Sequence, residues 1–600
     1  MATLAAGRAK PRRRIVRESV LDTPDPLEIA MAAAASGKPL PDVARRVLEE
    51  QVHLIHAQCA ELKLRQIGER VRAALWAILA IAAAAILALI IAIIIRASRS
   101  DALIVQSFRV PPSLAAKGLT GEVVATQVLD KLAEMQTRTD SGRAASSYAN
   151  NWENDLKIDI PNTGATTDQI WRLLRGWLGK ETRISGEVVD TGNGMALTVR
   201  VGSEPGHRFE SKDGKLDTLV TQGAESIYQG TQAYRYAVYL ARTDRPAERD
   251  AVLKRLSTDP SPIERKWAYA GLTYYLNADG KPRAAVAMAE RALRIDPNMH
   301  TALLNASSAQ SELGHDQAAV DLIMREQALS MGKEYDPEII RRGLCGTTAN
   351  LGERVRDPAL IDRAVDCFDR APTVSDYVPL ARAYAAIYRH DLLPALAFRQ
   401  QPTDQIPSPD AEANAATVHF LAQLQRPPGP GLAAALEEYR AANAKDASLR
   451  GREPVNLWPY EANALSLLGR RSEAQTLIDR TPLDCYECVR VRGLVAQRAG
   501  QPANAQRWFA EAARQGPRLA PAFADWGRLL AEHRRFASAE VKLAEAVRLA
   551  PNWADPLKIW GDSLAAQGKA KEAVIKYDAA LKLAPNWQQL RQTRDRVASH

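Results

Sequence analysis

LAPNW occurs at Leu549–Trp553 and again at Leu583–Trp587, 34 residues further on. A five-residue string is not expected to recur so near its first copy, so the offset reads as a period. Sliding the chain over itself by 34 residues pairs Trp526 with Trp560, Gly527 with Gly561, Leu530 with Leu564, Ala539 with Ala573, Ala546 with Ala580 and Pro551 with Pro585. One period earlier, Gly493, Ala505, Ala512 and Pro517 fall on the same positions. Small residues there let the two helices of a hairpin approach closely. The proline closes each unit because it cannot continue a helix.

A 34-residue period with this residue pattern resembles the tetratricopeptide repeat (TPR) family, most clearly over residues 487–587. A weaker set covers 264–330, where Gly280, Ala284 and Val286 of GKPRAAVAMAERALRIDP recur as Gly314, Ala318 and Val320. Between Asp336 and Arg480 helical patterns persist, but the spacing is irregular and the loops are longer, as in QPTDQIPSPD and QRPPGPG. Residues 232–600 therefore read as one α-solenoid of TPR-like hairpins, in which neighbours share a core that no single hairpin could build.

Residues 73–95, AALWAILAIAAAAILALIIAIII, carry no charge over 23 positions. As one helix this stretch would be about 35 Å long against a hydrocarbon core of about 30 Å, so a single transmembrane helix is the expectation. The preceding segment, 1–72, holds thirteen basic residues, Arg12, Arg13 and Arg14 among them, which the positive-inside rule places in the cytoplasm. Cysteine usage agrees, with Cys59 alone before the span and Cys345, Cys367, Cys485 and Cys488 after it. The chain thus reads as a single-pass bacterial inner-membrane protein with a cytoplasmic amino terminus and a periplasmic carboxy-terminal part. In the tail, Leu48, Val52, Ile55, Cys59 and Leu62 space as a short coiled-coil seam through which a homodimer would form.

Beyond the apolar stretch, residues 101–231 change to a mixed α/β pattern. ALIVQSF (Ala102–Phe108) and DLKIDI (Asp155–Ile160) read as strands. TGEVVATQVLDKLAEM (Thr120–Met135) and TTDQIWRLLRGWLG (Thr166–Gly179) read as helices, the second with a capping box. TRISGEVVD, MALTVRVG and HRFES are three further strands separated by TGNG and SEPG turns, and a last helix covers Leu216–Gly230. The strand ALIVQSFRVPP, the helix after it and the ISGEVVDTGNGMALTVRVG hairpin resemble the amino-terminal domain of TolB and its relatives. The fold class expected is α+β: a membrane anchor, a small mixed α/β domain, then an α-solenoid.

No HExxH, GxSxG or phosphate-loop motif is present, and the nine histidines are scattered. No catalytic residue, cofactor or metal site is therefore assigned, and the chain reads as a non-enzyme. Net charge is +9, but basic and acidic residues alternate, which describes a solvated surface rather than a nucleic-acid footprint. CYEC, Cys485–Cys488, opens a repeat helix and lacks the βαβ context of a redox-active pair, so a structural disulfide is favoured over thiol-disulfide exchange. Cys345 and Cys367 lie 11 residues either side of Arg356, level in an antiparallel hairpin, and form the second expected pair. SYANNW, with Tyr148 and Trp152, reads as a loop that either binds or covers a small core.

The TPR resemblance implies that the first helix of each hairpin lines a concave groove for protein or peptide partners. Carried onto the clearest repeats, the groove positions are Arg490, Gln497, Arg498, Asp525, Arg528, Glu532, Lys558 and Asp562. Leu494, Arg528 and Asp562 stand where the carboxylate-clamp form of the family has asparagine, so a mixed-charge groove is expected instead. The function expected is an inner-membrane-anchored scaffold that binds periplasmic partners. The alternatives are an envelope sensor and a redox protein using CYEC.

Overall fold

The structure is a computed structural model. It describes residues 25–57 except 38, 40–41, 44 and 51; residues 75–88 except 86; residues 103–150; and residues 182–599 except 213–214, 371–376, 403–407 and 447–448. Two units separate, one holding residues 1–100 and 159–180, the other residues 101–158 and 181–600.

In the first unit a helix spans Pro26–Ser36, capped by the Asp25 carboxylate and ended by Gly37 in the left-handed region. Residues 45–50, 52–57 and 75–85 are also helical. The 75–85 run is 11 residues, about 17 Å of helix, and the end of the apolar stretch beyond residue 88 lies outside the described residues. Among the described residues no helix is long and apolar enough to cross a membrane. That finding corrects the membrane-anchored fold class, the transmembrane assignment of 73–95, the inner-membrane and periplasmic placement and the membrane partner. The homodimer imagined through the helix before the span falls with it. Of its seam, Val52 and Ile55 are exposed, while Cys59 and Leu62 lie outside the described residues.

In the second unit the chain starts with a five-stranded sheet of order β2-β1-β3-β4-β5. The strands are β1 (Leu103–Val105), β2 (Tyr148–Asn150), β3 (Thr182–Asp190), β4 (Met195–Val201) and β5 (His207–Ser211). β1 is parallel to both β2 and β3, and β3–β4–β5 is an antiparallel meander. SYANNW supplies the short edge strand β2 where a loop was expected. Three residues are too few for alternation to show in a sequence. The expected strand 155–160 and helix 166–179 lie outside the described residues.

Thr120 caps the helix Gly121–Thr137 through its hydroxyl, and that helix and Leu216–Thr231 supply the core beside β1, β3 and β4. Val128, Leu132, Ile184, Leu197 and Ile227 are fully buried. The same core runs on without a break into Tyr234, Leu253 and Trp267 of the first helical hairpins. Arg235 fastens the junction by donating to the carbonyls of Thr139 and Arg143.

From Ala233 onward the described residues form helical hairpins. At the carboxy-terminal end they keep strict register: the pairs Tyr486–Arg498/Pro502–Gln515, Ala520–Glu532/Phe536–Leu549 and Ala554–Ala565/Ala570–Leu583 begin 34 residues apart. Gly493, Gly527 and Gly561 face Phe509, Leu543 and Tyr577 so closely that a Cβ would collide. The second unit is thus a small mixed α/β region followed by a long α-helical solenoid.

The solenoid bends back on itself. Tyr486 donates its backbone N–H to the Gly314 carbonyl at 2.9 Å, and Arg518 pairs with Asp321 at 2.9 Å. Farther along, Asn552 donates to Asp357 at 3.0 Å, and His390 bonds Asp555 at 3.0 Å while stacking on Trp587 with ring centroids 3.4 Å apart. Hairpins of residues 300–390 are therefore held against hairpins of residues 484–587, and their inner faces enclose space.

Candidate functional site

Three cavities follow one another, with volumes of about 700, 330 and 260 Å³; the first is walled by residues between Asp140 and Tyr384, and the second and third lie between the two arms. The first two share Asn350, Glu353 and Tyr384 in their walls, and the second and third share Arg356, Tyr388, Tyr460 and Glu487. Shared walls make them one inner channel. Helical spacing explains the lining: Gly346, Asn350 and Glu353 sit four and three residues apart on Pro337–Val355 and so share a face. Tyr377, Ala381, Tyr384 and Tyr388 make the corresponding stripe beside and along Val378–Tyr388. Tyr439 and Tyr460, from the hairpins between the arms, and Tyr486, from the other arm, complete an aromatic wall.

Most charges here are matched. Arg354 pairs with Asp316, and Arg490 bridges Glu487 and Asp525. Burial alone would raise Glu487, but the Arg490 guanidinium holds its pKa below the usual carboxylate value. Asp555 behaves alike, with burial opposed by His390. Arg356 donates to the Tyr388 hydroxyl and lies over that ring at 5.0 Å. Arg498 bonds Asn463 at 2.9 Å and Ser466 at 2.8 Å; burial, then the nearby Arg528, lowers its pKa to about 10.

Glu353 differs. Its carboxyl has no hydrogen-bond or ion-pair partner among the described residues, and burial raises its pKa to about 7 against the opposing field of Arg356.

Four of the groove residues read from the repeats, Arg490, Arg498, Asp525 and Arg528, come together in the wall of the third cavity. The other four pair outside that wall, Gln497 with Glu532 at 2.6 Å and Lys558 with Asp562 at 2.6 Å. Two of the first set are not freely exposed: Asp525 is 5% exposed, and Arg490 is held by two carboxylates. Glu353, Arg356, Tyr384, Tyr388, Tyr460 and His390 were not legible as site residues, because they lie where the repeat spacing breaks down and no register could be carried to them. The tyrosines, at 377, 384 and 388 on one helical stripe, were the available signal. Tyr148 bonds Thr231 at 2.6 Å, and burial raises its pKa to about 12, so it packs inward; Trp152 lies outside the described residues.

The structure joins Cys345 to Cys367 and Cys485 to Cys488. Cys485 and Cys488 are both fully buried. Cys485 caps its helix by accepting from the Cys488 N–H at 3.2 Å and packs against Gly314, where any Cβ would strike it. A buried pair wedged at an arm-to-arm contact offers no sulfur to an exchange partner, which corrects the thiol-disulfide alternative. Among the described residues no cluster of His, Cys, Asp or Glu could hold a metal ion.

No family model matches the chain, and no curated protein matches it. The resemblance to the TolB amino-terminal domain is corrected on that ground: no family model joins β1, the Gly121–Thr137 helix and the β3–β4 hairpin to such a domain. Among solved structures the crystal structure of yeast Tom70 is similar at 12% identity and a TM-score of 0.28, covering 60% of this chain and 94% of that one. A superposition so loose carries no argument. The repeat architecture rests on the 34-residue register of the hairpins themselves.

Proposed function

We propose that the chain is a non-catalytic binding scaffold that takes an extended segment of a partner polypeptide into its inner channel. The observation that supports this is continuity: three cavities share walls, so the space is long rather than round. An extended peptide advances about 3.3 Å per residue and needs polar partners for its backbone on both sides. Tyrosine hydroxyls and Asn350 supply both donors and acceptors along the way, and the amide of Asn463 and the guanidinium of Arg498 add donors. Tyrosine and arginine are also the side chains that contribute most per residue at protein interfaces.

Leu421 lies in the walls of both the second and third cavities, so Leu421→Trp should block the passage between them. Random linear peptides selected on the full chain should lose at least tenfold in affinity for this variant while its circular dichroism stays unchanged. Selected peptides that bind both proteins equally would place the site elsewhere.

A further inference from the structure

The second cavity has a chemical bias. Its wall holds three carboxyls, Asp316, Glu353 and Glu487, against two guanidiniums, Arg354 and Arg356. Asp316 is occupied by Arg354, and Glu487 by Arg490 from the neighbouring wall. Arg356 is engaged with the hydroxyl and ring of Tyr388. One carboxyl remains without a partner, and it stands at the shared wall of the first two cavities, reachable from either.

Five tyrosines surround the same space: Tyr384, Tyr388, Tyr439, Tyr460 and Tyr486. Aromatic faces carry negative quadrupoles and attract cations, more strongly where water is scarce. A carboxyl among aromatic rings, beside a guanidinium that is already engaged by Tyr388, is an arrangement that an alkylammonium group satisfies, since its charge meets the carboxylate and its methylenes meet the rings. One guanidinium, that of Arg356, is already seated on the ring and hydroxyl of Tyr388. Among the described residues both guanidiniums of this wall, Arg354 and Arg356, are already engaged, which disfavours an anion.

We infer that Glu353, flanked by Tyr384 and Tyr388, is a recognition site for the primary ammonium of the bound segment, a lysine side chain or an amino terminus. This rests on the channel reading and adds the chemistry of the occupant. Glu353 is a positioning residue for that segment; no bond is made or broken.

The test uses the full chain and three peptides: acetyl-Gly-Tyr-Lys-Tyr-Gly-amide, the same peptide with norleucine for lysine, and the norleucine peptide with a free amino terminus. Binding is measured by calorimetry at pH 8, to wild type and to Glu353→Gln. The variant keeps the size of the side chain and removes a half-buried charge, so it is expected to fold. The lysine peptide should bind wild type at least tenfold more tightly than the acetylated norleucine peptide, and Glu353→Gln should abolish that preference. If only the free-terminus peptide shows the preference, and loses it in Glu353→Gln, the ammonium is an amino terminus. Equal binding of the lysine and both norleucine peptides, or a preference that survives in Glu353→Gln, overturns the inference. Equal binding that is lost in Leu421→Trp would leave the channel reading standing without the ammonium. Absence of binding by all three peptides overturns the inference, and peptide selection against Leu421→Trp then decides the channel reading separately.

Discussion

Removing the charge of Glu353 should stabilise the protein, and more so as pH rises. The carboxyl titrates near 7 in the folded chain instead of the usual 4.5, because burial disfavours its charged form. The folded state therefore binds more protons than the unfolded state between those two values. Stability from this group is complete below about pH 4.5, declines as pH rises through 7 and then levels off. The full difference corresponds to about 3 kcal/mol, and because the side chain lines open cavities and is only partly buried, about 2 kcal/mol is the better expectation. Glu353→Gln removes this dependence. Wild type and variant are unfolded in urea at pH 5 and pH 8, with tryptophan fluorescence as the readout. Their difference should grow by about 2 kcal/mol in favour of the variant at pH 8. Groups that titrate alike in both proteins cancel in that difference. A difference that does not change between the two pH values would refute the reading of Glu353 as a buried carboxyl without a partner.

The buried and exposed arginines of the third cavity should separate cleanly. Arg490→Met strands Glu487 and Asp525 and should cost about 3 to 5 kcal/mol, while Arg528→Met, whose side chain is 40% exposed, should cost under about 1 kcal/mol in the same urea assay. Replacing Cys345 and Cys367 together by alanine opens a bridge with a sequence separation of 22 and should lower stability by about 3 kcal/mol, read as an earlier unfolding midpoint under non-reducing conditions. Gly493→Ala and Gly561→Ala push a methyl group into Phe509 and Tyr577 and should each cost about 1 to 3 kcal/mol; an unchanged midpoint would mean that the hairpins do not pack as closely as described.

The sequence was most informative where the chain repeats itself. LAPNW gives the period, and the period places Gly493, Gly527 and Gly561 at the closest helix approaches, because close packing leaves no tolerance at those positions. Where the constraint was composition alone, the reading failed: the apolar run 73–95 has the length of a span, yet among the described residues no helix is long and apolar enough to cross a membrane. The resemblance of residues 101–231 rested on the order of short strands, a pattern that many small α/β units can produce. Half of the proposed groove assembles and half does not. A repeat register tells which side of its own hairpin a residue occupies, but not which distant hairpin will be folded against it. Asp525 looks solvent-facing in its repeat and is buried by Arg490 from the preceding one.

The residues that break the repeat are also those that build the channel. At the hairpin turns the left-handed backbone position is taken by glycine in most units, as at Gly280, Gly314, Gly469, Gly500 and Gly568. At four turns the same conformation is held by a larger side chain, Asp244, Arg356, His390 and Arg534, with φ between 54° and 58°; Arg356 and His390 are the two in the irregular middle. Side chains other than glycine resist this region by about 1 kcal/mol or more, so the conformation persists only where other contacts offset it. Both side chains are fully engaged. Arg356 reaches Tyr388 inside the channel, and His390 joins Asp555 and Trp587 of the last repeats. A glycine at either turn would relax the backbone and lose one side of the channel: the cation beside Glu353 in the first case, the contact that holds the arms together in the second. Regular repeats therefore supply the rigid arms, and departures from regularity supply the groups that close them on a ligand.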